Sequence, residues 1–110
     1  MPSLAAVRAL ALSLPEVTEQ DHHGMPSFRV RNKIIATVPD QAHLRIMVDE
    51  PEILAAVAED ATSCAPYYWG SRLACVVVAI GTVRSDLLRE LLTEAWMRKA
   101  PASLARTFRR

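Results

Sequence analysis

A chain of 110 residues, 51% apolar and 23% charged, is long enough for one hydrophobic core and one compact domain, and its composition is that of an ordinary globular protein. A formal charge of +1 excludes a surface that is electropositive throughout, so an anion-binding role would have to come from local clustering of Lys and Arg. The two cysteines, Cys64 and Cys75, form no CxxC pair and are too few for a disulfide framework, so free thiols in a reduced cytoplasmic setting are expected.

Ser3 is placed to cap a first helix in which Leu4, Val7, Leu10, Ala11 and Leu14 recur at helical spacing until Pro15 stops the run. The run is too short to span a bilayer and has no basic segment before it, so it reads as neither a membrane anchor nor a signal peptide. Residues 16–27 are polar and broken by Gly24 and Pro26, the pattern of a loop. A β-hairpin follows, with Asn32 and Lys33 as its two-residue turn; Phe28, Val30 and Ile35 then share one face while Arg29 and Arg31 take the other. Pro39 ends the second strand, and residues 43–48 form a third, alternating Leu44, Ile46 and Val48 with His43, Arg45 and Met47.

Asp49, Pro51 and Glu52 open a second helix by the reciprocal capping pattern, and Ile53, Leu54 and Val57 supply its buried stripe. Residues 62–72 read as irregular, with room for a short strand near Cys64. Residues 73–80 are apolar throughout, which predicts a strand in the middle of a sheet or covered on both faces. Ser85 is placed to cap a last helix whose Leu87, Leu88, Leu91, Leu92, Ala95 and Trp96 face the core, and Pro101 ends it. The predicted organisation is one domain over residues 1–101, then a basic tail over 102–110 carrying Arg106, Arg109 and Arg110.

The runs ALSLPEV at 11–17, GMPSFRV at 24–30 and KIIA at 33–36 are joined by YWG at 68–70 and by LRELL at 88–92 before Ala95 and Trp96. Together they resemble the MmcQ/YjbR family of small bacterial proteins over nearly the whole chain. The resemblance implies an α+β fold of two layers, α-β(3)-α-β(2)-α, with an antiparallel sheet and helices packed on one face, like that of secretion chaperones. It also implies a DNA-binding label that rests on fold likeness. Relatives often carry a lysine and a tryptophan where this chain has Ser71 and Ala74, which implies a weaker ligand site at those positions.

On the hairpin reading, Arg29, Arg31, His43 and Arg45 gather on the outer sheet face, with Lys33 at the hairpin tip. Tyr67, Tyr68 and Trp69 would add stacking surfaces, a combination suited to single-stranded nucleic acid, and Arg72 follows them. The plainer reading is that an outer face must be polar and that arginine stems cover apolar sheet well. Glu16, Glu19, Asp21, His22 and His23 look like metal ligands, but adjacent histidines in an extended segment point apart, so a solvated loop is expected. No nucleophile triad, phosphate loop or paired-carboxylate pattern is present, and neither catalysis nor a cofactor is expected.

The nucleic-acid or anion-binding candidates are therefore Arg29, Arg31, Lys33, Arg45, Trp69 and Arg72, in a non-enzymatic cytoplasmic protein with weak, non-specific affinity for DNA and no membrane partner. The alternatives are an interaction or chaperone-like module, forming a homodimer through its sheet or binding a peptide, and a pocket for a small anion under the 24–26 loop.

Overall fold

The structure is a computed structural model that describes residues 3–108. The Oγ of Ser3 accepts the Ala6 amide at 3.1 Å and starts helix α1, Leu4–Leu12, which presents Val7 and Ala11 to the core. Strands β1 (Val17–His22), β2 (Met25–Val30), β3 (Lys33–Asp40) and β4 (His43–Ile46) follow. Helix α2 (Glu50–Glu59), strands β5 (Cys64–Trp69) and β6 (Arg72–Ala79) and helices α3 (Ser85–Lys99) and α4 (Ala102–Ala105) complete the chain. The strands form one antiparallel sheet in the order β1-β2-β3-β4-β6-β5. Helix α3 covers β3 and β4, α2 covers β5 and β6, and α1 packs on β1 and α3. This is the expected two-layer α+β fold with one strand more.

That additional strand, β1, lies where the sequence reads as a loop. Only Val17 of its residues is buried, so it has no apolar alternation to betray it. At the edge of a sheet, main-chain pairing with β2 is sufficient to hold it. His23 and Gly24 turn it into β2, both with positive φ, and the Asp21 carboxylate accepts the Gly24 amide at 3.2 Å.

The next hairpin also differs from expectation, by one residue. Arg31 and Asn32, with φ of 50° and 68°, are the turn, so Val30 pairs with Lys33 and Arg29 with Ile34. A two-residue turn matching the sheet's twist needs both central residues left-handed, and asparagine tolerates that in the second position as well as the first. Ile35 is then the extra residue of a bulge that returns Phe28 to register with Ala36.

Across the sheet Phe28, Ala36, Ile46 and Val76 line up in one row facing the helices, all fully buried. Trp96 of α3 closes the core above them, and its indole N–H donates to the Pro15 carbonyl at 2.9 Å, tying α3 to the turn between α1 and β1. Leu54, expected inside, is exposed, and Ala56 takes its place beside Ile53 on the buried side of α2. Asp49 caps that helix as expected, accepting the Glu52 amide at 3.4 Å. Ser85, the expected cap of α3, is its first residue; Arg84 holds the cap position without a side-chain bond and pairs with Glu59 and Asp86.

The segment after Pro101 is not a loose tail as far as Phe108. It forms α4 and lays the Phe108 ring 5.0 Å from that of Trp96. Arg109 and Arg110 lie outside the described residues. No helix among the described residues is long and apolar enough to cross a membrane.

Candidate functional site

One residue along each strand from the buried row, the side chains point the other way. Ser27, Thr37, Arg45 and Val77 pair across β2, β3, β4 and β6, and the next pair on this face, beyond the bulge, is Arg29 with Ile34. Among the described residues no helix covers this face, and it forms the floor of a cleft of about 600 Å³. Thr37, Met47, Ala74 and Cys75 belong to the floor, while Tyr67 and Trp69 stand on the β5 side. Among the described residues Arg29, Lys33, Arg45, Arg72, Arg98 and Lys99 all line it, and no Asp or Glu does. In a chain with 13 Lys and Arg against 12 Asp and Glu, so one-sided a wall is a strong local departure from neutrality.

On the open sheet face Arg29 and Arg45 are held in place by neutral partners. The Arg29 Nε donates to the Ser27 Oγ at 3.1 Å, and its terminal nitrogens reach the Asn32 side-chain oxygen at 3.3 Å and the Asp21 carbonyl at 3.5 Å. Ser27 is itself fixed by donating to the Gln20 carbonyl at 2.8 Å. Arg45 lies over the Tyr67 ring, 4.5 Å from its centroid. A guanidinium oriented by hydroxyl, carbonyl or ring keeps its full charge for an incoming anion, unlike one already matched to a carboxylate.

At the end of the cleft, Lys33 follows the β2–β3 turn and Arg72 follows the β5–β6 turn, where Gly70 takes φ +60° at the first of two central positions. Arg98 and Lys99 arrive there from the last turn of α3, and Arg98 donates to the Met47 carbonyl at 3.2 Å. Burial, then the charges of Arg98, Lys33 and Arg72, hold the Lys99 ammonium below the ordinary lysine range. In the floor, burial pushes the Cys75 thiol up while Arg45 pulls it partly back. The other thiol, Cys64, belongs to the core on the opposite face, and burial with the charges of Asp60 and Glu59 pushes it up to about 11.

Of the residues singled out in the sequence, the structure brings Arg29, Lys33, Arg45, Trp69 and Arg72 to this cleft. Arg31 is a correction. As a turn residue it leaves the sheet face and binds the Glu16 carboxylate through Nε at 2.5 Å, which draws the Glu16 carboxyl below its usual range. His43 lies outside the cleft as well, its Nδ1 3.0 Å from the Asp40 carboxylate. Tyr68 is also outside, because it alternates with Tyr67 and Trp69 along β5 and so points to the opposite side of the sheet.

The hollow beside Gly24 and Pro26 is lined by Glu19 and Asp21, the wrong sign for an anion. The suspected acidic loop is dispersed: Glu16 pairs with Arg31 and Glu19 with Arg8, while His22 and His23 stack edge to face at the cleft's rim. Among the described residues no group of three or more His, Cys, Asp or Glu is placed to hold a metal ion. Arg98 and Lys99 were missed, because basic residues in a last helical turn have a sufficient reason in the helix dipole.

The YjbR family model matches residues 12–98. A crystal structure of DR2400, a Deinococcus radiodurans protein whose family-model domain is DUF419, is similar with a TM-score of 0.74 and 24% identity, over 89% of this chain and 78% of that one. At that identity the likeness is one of fold. No curated protein matches the chain.

Proposed function

Since the chain belongs to the YjbR family, and its sheet faces outward as a cationic cleft, we propose that it is a non-enzymatic, cytoplasmic binding protein whose cleft takes the phosphates and bases of single-stranded nucleic acid. The observation that carries this reading is the lining itself, which among the described residues sets six Lys and Arg beside Tyr67 and Trp69 with no carboxylate. Basic side chains neutralise phosphates, and an aromatic ring stacks on any base, so affinity arises without sequence readout. Trp69, 64% exposed at the edge of the cleft, is free to receive a base, whereas Tyr67 already carries Arg45 on one face.

The test is fluorescence anisotropy with a labelled oligo-dT. Binding should be micromolar or weaker at about 50 mM salt and fall at least tenfold by about 200 mM, as release of counterions requires. The double change of Arg29 and Arg45 to Ser should abolish it with the fold intact by circular dichroism. Absence of binding at low salt, or binding unmoved by salt and by the double change, overturns the reading. Salt-insensitive self-association would instead favour an interaction module.

A small phosphorylated ligand is the second reading, favoured by the concavity: a cleft of about 600 Å³ lies within the usual range of small-molecule sites, roughly 300 to 1,000 Å³.

A further inference from the structure

Lys33, Arg72 and Lys99 reach one end of the cleft from three remote parts of the chain: the start of β3, the start of β6 and the end of α3. Among the described residues none of the three forms a salt bridge or a side-chain hydrogen bond, although the chain as a whole has 12 Asp and Glu to 13 Lys and Arg. The helix dipole accounts for Lys99, but it gives no reason for cations at two hairpin tips. Arg98 stands at the margin, because it also faces a neighbouring hollow that contains Asp49, Glu52 and Glu94. Like charges drawn together with no counter-charge cost folding energy, and an anion at their centre recovers it.

The size of that anion follows from the charge. An interior phosphodiester carries a single negative charge, whereas a terminal phosphate carries about −1.5 to −2 near neutral pH and presents three acceptor oxygens. Three converging donors match the second. We propose that Lys33, Arg72 and Lys99 form a subsite for a terminal phosphate, so that the cleft grips its ligand by a phosphorylated end and lays the adjoining base towards Trp69. The inference rests on the phosphate-binding reading above and narrows it. Its ligand chemistry, a nucleotide phosphomonoester, occurs both at a phosphorylated strand end and in a free mononucleotide.

A dianion beside Lys99 also removes the cause of its lowered proton affinity. Among the described residues the charged groups around that ammonium are Lys33 from β3, Arg72 from β6 and its neighbour Arg98, and no carboxylate of the cleft opposes them. Binding at alkaline pH should therefore take up protons.

The experiment compares a short oligo-dT ending in hydroxyl, the same oligomer with a 5′-phosphate, and dTMP, each by calorimetry in two buffers of different ionisation enthalpy. The phosphorylated oligomer should bind at least tenfold more tightly than the hydroxyl-ended one. Lys99→Gln and Arg72→Gln should each erase most of that advantage, and Lys99→Gln should also remove the proton uptake seen at alkaline pH. Equal affinity for the two oligomers, or an advantage and a proton uptake that survive Lys99→Gln, would overturn the subsite. If dTMP binds in a Lys99-dependent way while no oligomer binds, the subsite stands and the nucleic-acid reading falls. If both oligomers bind equally, the nucleic-acid reading stands and the subsite falls.

Discussion

The two faces of this sheet are made by the same strands, one residue out of step, and they obey different physics. The row Phe28, Ala36, Ile46 and Val76 is wholly removed from water beneath α2 and α3. The row Ser27, Thr37, Arg45 and Val77 has no helix over it among the described residues, and it continues through Arg29 into a cleft walled by cations. The inner face is stabilised by area and shape, so its residues answer to volume. The outer face stores charge, which contributes little to folding and governs what is attracted. Because the strand period is two, a change on one face should leave the property of the other almost alone.

The sharpest attempt to break that separation is Phe28→Ala. Its ring is fully buried in the core, so the truncation should cost about 3 to 5 kcal/mol and lower the melting temperature by more than about 12 °C. Arg45→Ser, one row away, should shift the melting temperature by only a few degrees while weakening the binding of oligo-dT. A Phe28→Ala protein that melts like the parent, or an Arg45→Ser protein that fails to fold, would merge the two faces into one.

Trp96→Phe tests the same inner face from the helix side. It removes ring volume and the indole donor to the Pro15 carbonyl, 2.9 Å away, and leaves that carbonyl without its partner. A loss of about 1 to 3 kcal/mol is expected from the hydrogen bond and the cavity together. Urea unfolding should show it as a lower midpoint at unchanged slope. An unshifted midpoint would mean that the tie between α3 and the α1–β1 turn contributes nothing to stability.

What the sequence disclosed divides along the same line. Alternation on 28–30 and 44–48, the apolar run of β6 and the helical spacing of α3 are local patterns, and each placed its core residues correctly, Phe28, Leu44, Val76 and Trp96 among them. β1 was invisible because an edge strand can be held by main-chain bonds with one buried side chain. The hairpin slipped by one because Arg31 occupies a left-handed position that its side chain does not advertise. Of the cleft, Arg29, Arg45 and Met47 were legible as the outward half of an alternation, whereas Thr37 was hidden by the one-residue slip of the hairpin and Cys75 by a run that is apolar on every residue. The cleft's end was not legible, since Lys99 meets Lys33 and Arg72 only after the chain has packed, and no spacing in sequence encodes that meeting.

The thiols report on the two faces independently. In register, Cys64 pairs with Val78 and faces the core, whereas Cys75 pairs with Tyr67 and faces the cleft, so the sheet itself lies between them. Intact mass without reductant should match two free thiols, the form in which both occur here. With its thiol pushed up to about 11, Cys64 is only about one part in a thousand thiolate at pH 8, and alkylation should wait for unfolding. Cys75, also shielded, should react sooner and be protected by a ligand in the cleft. A disulfide, or equal rates for the two thiols, would contradict their placement on opposite faces.

The smallest effect should come from the arginine that left the outer face. Arg31 and Glu16 are both well exposed, and an exposed ion pair is screened by water and salt, so Glu16→Gln should change the melting temperature barely measurably at neutral pH. The sign of its pH dependence is nevertheless determined. Hydrogen bonding to Arg31 draws the Glu16 carboxyl below its ordinary range in the folded protein, so the folded state releases this proton more readily than the unfolded one. The pair's contribution is therefore present above the ordinary glutamate pKa and is lost as pH falls through the lowered one. The parent and Glu16→Gln curves should converge as the pH falls below about 4.5; a gap that widens on acidification would reverse the assignment. Arg31→Ser should leave oligo-dT binding where it was, in contrast to Arg45→Ser. If Arg31→Ser weakens binding as much, the anion is not confined to the cleft, and the boundary between turn and outer face has been drawn in the wrong place.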